Sequence, residues 1–146
     1  MTSTIITGVD ASETAAAAAR KAAELSSALG ATLHLICAYG RYESTTFESG
    51  PEKFHYSNED EALKTAQTVA RSVQKDFPGL TIRPEAAEGK PGEALVQAAE
   101  RLAADIVVVG NKRVQGMARM LGSIARDVAS QAPCDVYVAY THERKS

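Results

Sequence analysis

Residues Asp105 to Ser123 read D-I-V-V-V-G-N-K-R-V-Q-G-M-A-R-M-L-G-S. The run Ile106-Val107-Val108-Val109 is apolar and β-branched, the composition of a strand buried on both faces of a parallel sheet. It stops at Gly110. Gly116 and Gly122 follow, and Ser123 precedes I-A-R-D-V-A-S-Q-A, a helical stretch. The pattern is therefore strand, glycine-bearing loop, helix. Glycines let backbone N–H groups approach an anion, and a helix start adds unpaired donors and a positive dipole end. Ser123 can cap that helix and offer its hydroxyl to the same anion. The stretch alone leaves two readings open, a phosphate cradle or an ordinary strand-to-helix loop.

Working outward, the chain alternates strands and helices. Thr4 to Val9 reads as a first strand ending at Asp10. Ser12 is an N-cap for an alanine-rich helix from Glu13 to about Leu29, with Gly30 as its C-cap. Thr32 to Ala38 is a second strand. Tyr39 to Ser57 is polar and aromatic, carries Gly50-Pro51, and reads as a long loop, functional or inert. Ser57 or Asn58 caps a helix from about Glu59 to Asp76, with Ala62, Thr65, Ala66, Val69 and Val73 on one face. A weakly patterned strand covers roughly Thr81 to Ala86. A turn, Glu88 to Glu93, leads into a helix starting near Pro91 and ending near Ala103. Its inward residues are Ala94, Leu95, Ala98 and Leu102. A last helix from Ser123 to Gln131 is closed by Pro133. A last strand spans Asp135 to Tyr140.

The expectation is one α/β domain over residues 1–146, a five-stranded parallel sheet with helices on both faces, Rossmann-like. Ligands of such folds bind beyond the carboxyl ends of the strands, where strand order reverses. Asp10 and the loop from Gly110 would meet there if their strands are neighbours: a carboxylate for ribose or base, glycines for phosphates.

Composition sets bounds. A net charge of −2 does not suggest nucleic acid or an acidic membrane surface as partner. No apolar run approaches the roughly 20 residues needed to cross a bilayer. The N-terminus lacks signal-peptide character, and Cys37 and Cys134 read as buried thiols of a cytoplasmic protein. His34, His55 and His142 have no metal-ligand spacing, and no Ser-His-Asp or Cys-His arrangement for nucleophilic catalysis is visible. The aliphatic strand from Val136 to Tyr140 would be a hazard as a bare sheet edge, and pairing with a second copy would cover it.

The segments G-V-D-A-S-E after the first strand, E-G-K-P-G-E-A-L, V-V-V-G-N, L-G-S and A-P-C-D-V-Y-V together resemble the universal stress protein family over nearly the whole chain. The resemblance implies the strand order 3-2-1-4-5, a homodimer joined through the last strand, and an adenine-nucleotide ligand. That ligand would be ATP or cyclic AMP, with Mg²⁺ only if ATP is bound. It assigns Val9 and Asp10 to base and ribose and Ala38 to the adenine pocket. Val109 and Gly110 fall at the ribose or first phosphate, and Lys112, Arg113, Gly122, Ser123 and Ile124 around the phosphates. Nucleotide-binding members carry a glycine, two residues, a second glycine, nine residues, then Gly-Ser or Gly-Thr. Here Arg113 stands at the second glycine, and the interval to Gly122 is one residue short. Arg113 either fills the phosphate space or, with Lys112, supplies charge to it. The function implied is a nucleotide-binding regulatory protein. A nucleotide-free interaction module is the alternative, and slow ATP hydrolysis a third reading.

Overall fold

The computed structural model describes residues 3–44, 53–111 and 122–141. The elements in order are β1 (Thr4–Gly8), α1 (Glu13–Leu29), β2 (Thr32–Ser44), β3 (Lys53–Ser57), α2 (Glu59–Asp76), β4 (Ile82–Glu88), α3 (Pro91–Arg101), β5 (Ile106–Asn111), α4 (Ser123–Gln131) and β6 (Asp135–Tyr140). Five strands run parallel in the order β4-β2-β1-β5-β6. Numbered along the parallel strands alone, that is the order 3-2-1-4-5.

One expectation is corrected. The segment Tyr39 to Ser57 is not a loop throughout. β2 runs on to Ser44, and β3 returns antiparallel to it, with Gly40 opposite Ser57 and Ser44 opposite Lys53. The polar-aromatic alternation in R-Y-E-S and K-F-H-Y-S has a period of two, which suits a ribbon whose faces need no deep burial. Gly40 opens the ribbon at φ 117°, a conformation that side chains beyond glycine rarely adopt. The Gly50-Pro51 turn lies outside the described residues.

The helices divide between the two faces of the sheet. α1 and α2 pack on Ile5, Leu33, Leu35 and Val108, using Ala18, Ala19, Ala22, Ala23, Ala62, Ala66 and Val73. α3 and α4 pack on Ile6, Ile36, Val107 and Val109, using Leu95, Ala98, Ala99, Ala125 and Val128. Successive strand residues point to opposite faces, so β1 and β5 are apolar on both, at Ile5, Ile6, Val107, Val108 and Val109. Each fully buried Ile, Leu or Val side chain contributes roughly 1.5–3 kcal/mol. The row of alanines on α1 lets that helix sit close on the sheet. Gly30 ends it at φ 67°, donating its N–H to the Ser26 carbonyl.

β1 and β5 are also joined side to backbone. The Thr7 hydroxyl, fully buried, donates to the Val108 carbonyl at 2.8 Å. At the opposite end of the same pair, the Asp105 carboxylate accepts from the Thr4 N–H at 2.7 Å and the Asp105 N–H donates to the Thr4 carbonyl. These bonds fix the register that sets Ile5 beside Ile106 and Thr7 beside Val108. The carboxyl ends of the two strands therefore finish side by side.

The two sheet edges differ. β4 carries Pro84 among Arg83, Glu85 and Glu88, which blunt an edge by removing a donor and adding charge. β6 has one charged residue, Asp135, at its start, and Tyr137, Val138 and Tyr140 are each more than a third exposed. No described helix is long and apolar enough to cross a membrane.

Candidate functional site

The chain turns from β1 into α1 through Val9-Asp10-Ala11-Ser12. The Val9 N–H donates to the Ile36 carbonyl at 2.9 Å, so this turn leans on β2. One Asp10 oxygen, Oδ1, accepts from the Ser12 N–H at 2.6 Å, and the Ser12 hydroxyl accepts from the Ala15 N–H at 3.1 Å. Asp10 therefore shapes the start of the helix while remaining exposed. A carboxylate accepts at either oxygen, so Oδ2 stays available for a hydroxyl donor.

Cys37, just below on β2, senses that carboxylate. Burial, and secondarily the negative charge of Asp10, push its thiol up to about 11. The turn that carries Asp10 is held to β2 by the Val9 bond to Ile36. A groove of about 470 Å³ runs from Asp10 between α1 and α2, with Ala16, Val69 and Val73 among its apolar walls and Lys64 among its polar ones.

Gly110 closes the other side. A Cβ built there would stand 2.8 Å from Thr14 Cγ2, 3.2 Å from Thr141 Cγ2 and 3.4 Å from the Thr14 carbonyl oxygen. The end of β5 thus meets the first turn of α1, and the glycine permits the approach. Asp10 and Gly110 are brought to one crevice, between adjacent strands whose helices leave to opposite faces. Thr14 was not singled out in the sequence, because a threonine in a first helical turn carries no signal until its neighbour is known.

Four described helices differ at their starts. Ser12 caps α1 and Asn58 caps α2, each through a side-chain acceptor, and both first turns contain acidic residues. α3 lacks a side-chain cap but has Glu93 in its first turn. α4 begins at the N-cap Gly122 with neither a side-chain cap nor an acidic residue in its first turn. Ser123 is the first helical residue rather than the cap, because Gly122 holds the extended conformation there. Ser123 and Ile124 are exposed, and the Arg126 N–H is the first to find a helical carbonyl, that of Gly122. Because β6 runs parallel to β5, α4 runs back along the sheet and its start lies at the carboxyl edge.

The other assigned residues divide. Val9 and Val109 have their side chains in the two cores, 5% and 4% exposed, which leaves only their backbone for a ligand. Ala38 is half-buried beside the Asp10 turn. Lys112 and Arg113 lie outside the described residues, as do Gly116 and Arg119. A second groove, of about 480 Å³, lies between β4 and α3 and is lined by Glu85, Glu88, Gln97 and Arg101. Its two carboxylates disfavour a phosphate. There Glu85 is already engaged, by His34 Nδ1 at 2.6 Å and by Arg101 at 3.2 Å.

The sequence model of the universal stress protein family matches residues 1–139. A universal stress protein from Thermus aquaticus is 32% identical over 141 residues, 93% of this chain and 97% of its own. A universal stress protein solved in complex with cyclic AMP is 27% identical, with a TM-score of 0.68 over 97% of this chain and 98% of that one. One from Archaeoglobus fulgidus, solved in complex with dAMP, has a TM-score of 0.67 at 22% identity over 93% of this chain and 96% of its own, and so bears on the fold. By family match and by the relative from Thermus alike, the chain belongs to the universal stress protein family.

Proposed function

We propose that the protein binds an adenine nucleotide in the crevice between β1 and β5 and acts as a regulatory homodimer. The observation that carries this is the contact of the β5 end at Gly110 with the first turn of α1, directly after Asp10. It supports a site with the Asp10 carboxylate on one side and the end of β5 on the other, where the strand order reverses. Asp10 Oδ2 suits a ribose hydroxyl. The amides of Ser123, Ile124 and Ala125, without intrahelical acceptors, suit a phosphate. The cyclic AMP complex of the 27% identical relative supports the same ligand class.

Cyclic AMP and ATP are the leading candidates, and Mg²⁺ would accompany only ATP. Isothermal titration with ATP, ADP, AMP and cyclic AMP tests the reading. Heat for at least one of them below millimolar concentration is expected, and Asp10→Ala should weaken it at least tenfold. Silence from all four would favour the nucleotide-free interaction module, which the departure at Arg113 speaks for. The exposed residues of β6 support pairing of two copies along that edge. Sedimentation at micromolar concentration should give twice the 15.5 kDa chain mass, and a species of 15.5 kDa alone would refute the pairing.

A further inference from the structure

The segment E-G-K-P-G-E, residues 88–93, contains a glycine at a helical position where turn chemistry does not require one. Gly92 is buried in the first turn of α3, and its φ is not in the left-handed region. Alanine is the better helix former at such a place. The reason for glycine lies in α4. A Cβ at position 92 would stand 2.9 Å from Asp127 Cβ, 3.0 Å from Asp127 Oδ2 and 3.4 Å from Asp127 Cγ. The first of these atoms is fixed to the α4 backbone and cannot swing aside as a side-chain tip could. α3 and α4 therefore touch at this point through a missing side chain. The Asp127 carboxylate lies against a first turn whose Gly92 and Glu93 amides have no intrahelical acceptor, a placement that the helix dipole favours.

Asp127 follows Ser123 by four residues, about one helical turn, or roughly 6 Å along the axis. Whatever fixes α4 at Asp127 also fixes the exposed amides at its start. On the strength of the nucleotide reading above, we infer that Gly92 is a positioning residue for the phosphate end of the ligand. It lets α3 hold α4 at the depth where the Ser123 turn meets a phosphate. The base and ribose end depends on β1, β2 and α1, on the other side of the crevice, and is not set by this joint.

The separation of the two ends gives the test. Gly92→Ala inserts a methyl group into the joint and pushes α4 outward. Binding of ATP, AMP and adenosine is titrated for the wild-type protein and for the variant, with circular dichroism to show that both are folded. The expected result is a loss of at least fivefold for AMP and ATP, with adenosine within twofold of wild type. Asp127→Gly in the Gly92→Ala background removes the opposing Cβ and should bring the AMP-to-adenosine ratio back to within threefold. A general loss of structure would lower all three ligands together. An unchanged ratio in folded Gly92→Ala overturns the inference while leaving the nucleotide reading intact. A wild-type protein that binds none of the three overturns both. If Gly92→Ala does not fold, the double variant decides: folded with a near-wild-type ratio it supports the joint, and unfolded it refutes the contact as the reason for the glycine.

Discussion

The tightest contact at the crevice can be loaded by one methyl group. In Gly110→Ala the new Cβ would sit 2.8 Å from Thr14 Cγ2 and 3.2 Å from Thr141 Cγ2. Ordinary carbon contacts lie near 3.5–4.0 Å. Thr14 cannot readily relieve the first clash. It is β-branched within a helix, where its χ1 is restricted, and its carbonyl oxygen lies only 3.4 Å from the same Cβ. Overpacking of this kind costs about 1–3 kcal/mol. Gly→Ala returns roughly 0.4–1 kcal/mol by narrowing the unfolded ensemble, since position 110 has no positive φ to forbid alanine. The net loss should be about 1–2 kcal/mol, or a fall in Tm of about 3–6 °C for a chain of this size. Thermal unfolding followed by circular dichroism measures it. Thr14→Ser removes the Cγ2 methyl, and in the double variant it should recover at least half of the loss. A Gly110→Ala protein with the wild-type Tm would refute the close approach. A double variant no better than Gly110→Ala would show that the strain is not against Thr14.

Further outcomes follow from other contacts. The Cys37 thiol is held up to about 11, so the folded state keeps its proton while the unfolded chain loses it from about pH 9. Stability should therefore fall as pH rises from about 9 to 11, by roughly 2 kcal/mol more than in Cys37→Ala. Urea titrations at several alkaline pH values compare the two slopes, and equal slopes would mean that the thiol does not titrate as described. Glu85→Ala leaves His34, its side chain 12% exposed, without its acceptor and should cost about 1–3 kcal/mol in urea unfolding. Arg101→Ala breaks an exposed pair and should cost under about 1 kcal/mol, and the reverse ranking would refute the burial argument. Arg113→Gly restores the family's second loop glycine and should change nucleotide affinity at least severalfold by calorimetry.

Much of this architecture was legible because local and global signals agreed. The Val107-Val108-Val109 run is apolar on both faces, and both faces are covered. Ser12, Asn58, Gly30 and Pro91 mark helix ends by chemistry that acts within a few residues, and the structure uses each of them. The pairing of Arg41–Ser44 with Lys53–Tyr56 was not legible, because a short period-two alternation of polar and aromatic residues beside Gly50-Pro51 reads equally well as a polar loop. The role of Ser123 was misread by one position, since Gly and Ser are both good cap residues and only the backbone conformation chooses between them. Thr14, Gly92 and Asp127 were invisible as contacts for another reason. A close approach is a property of two segments distant in the chain, and neither partner advertises the other.

The helix starts at the carboxyl edge give the crevice a polarity. α1 gives the Ala15 amide to the Ser12 hydroxyl and carries Glu13 in its first turn, three residues after Asp10, so its start is acidic and offers acceptors. A ligand group that donates hydrogen bonds, such as a ribose hydroxyl, suits that side, and an anion there would meet like charge. α4 presents the reverse: a glycine cap, no acidic residue in the first turn, and first amides without intrahelical acceptors. An anion at a helix start gains about 0.3–1 kcal/mol from the dipole, before any hydrogen bond to the amides is counted. A cap side chain or a first-turn carboxylate would compete for that gain, and α4 has neither. In the proposed reading, the departure at Arg113 concerns the anionic side. It removes one close-approach glycine from the loop while adding a cation next to Lys112. In that reading the hydroxyl side rests on Asp10 and the β1–β5 register, so a changed loop should alter which phosphate group is preferred before it abolishes recognition of the nucleoside.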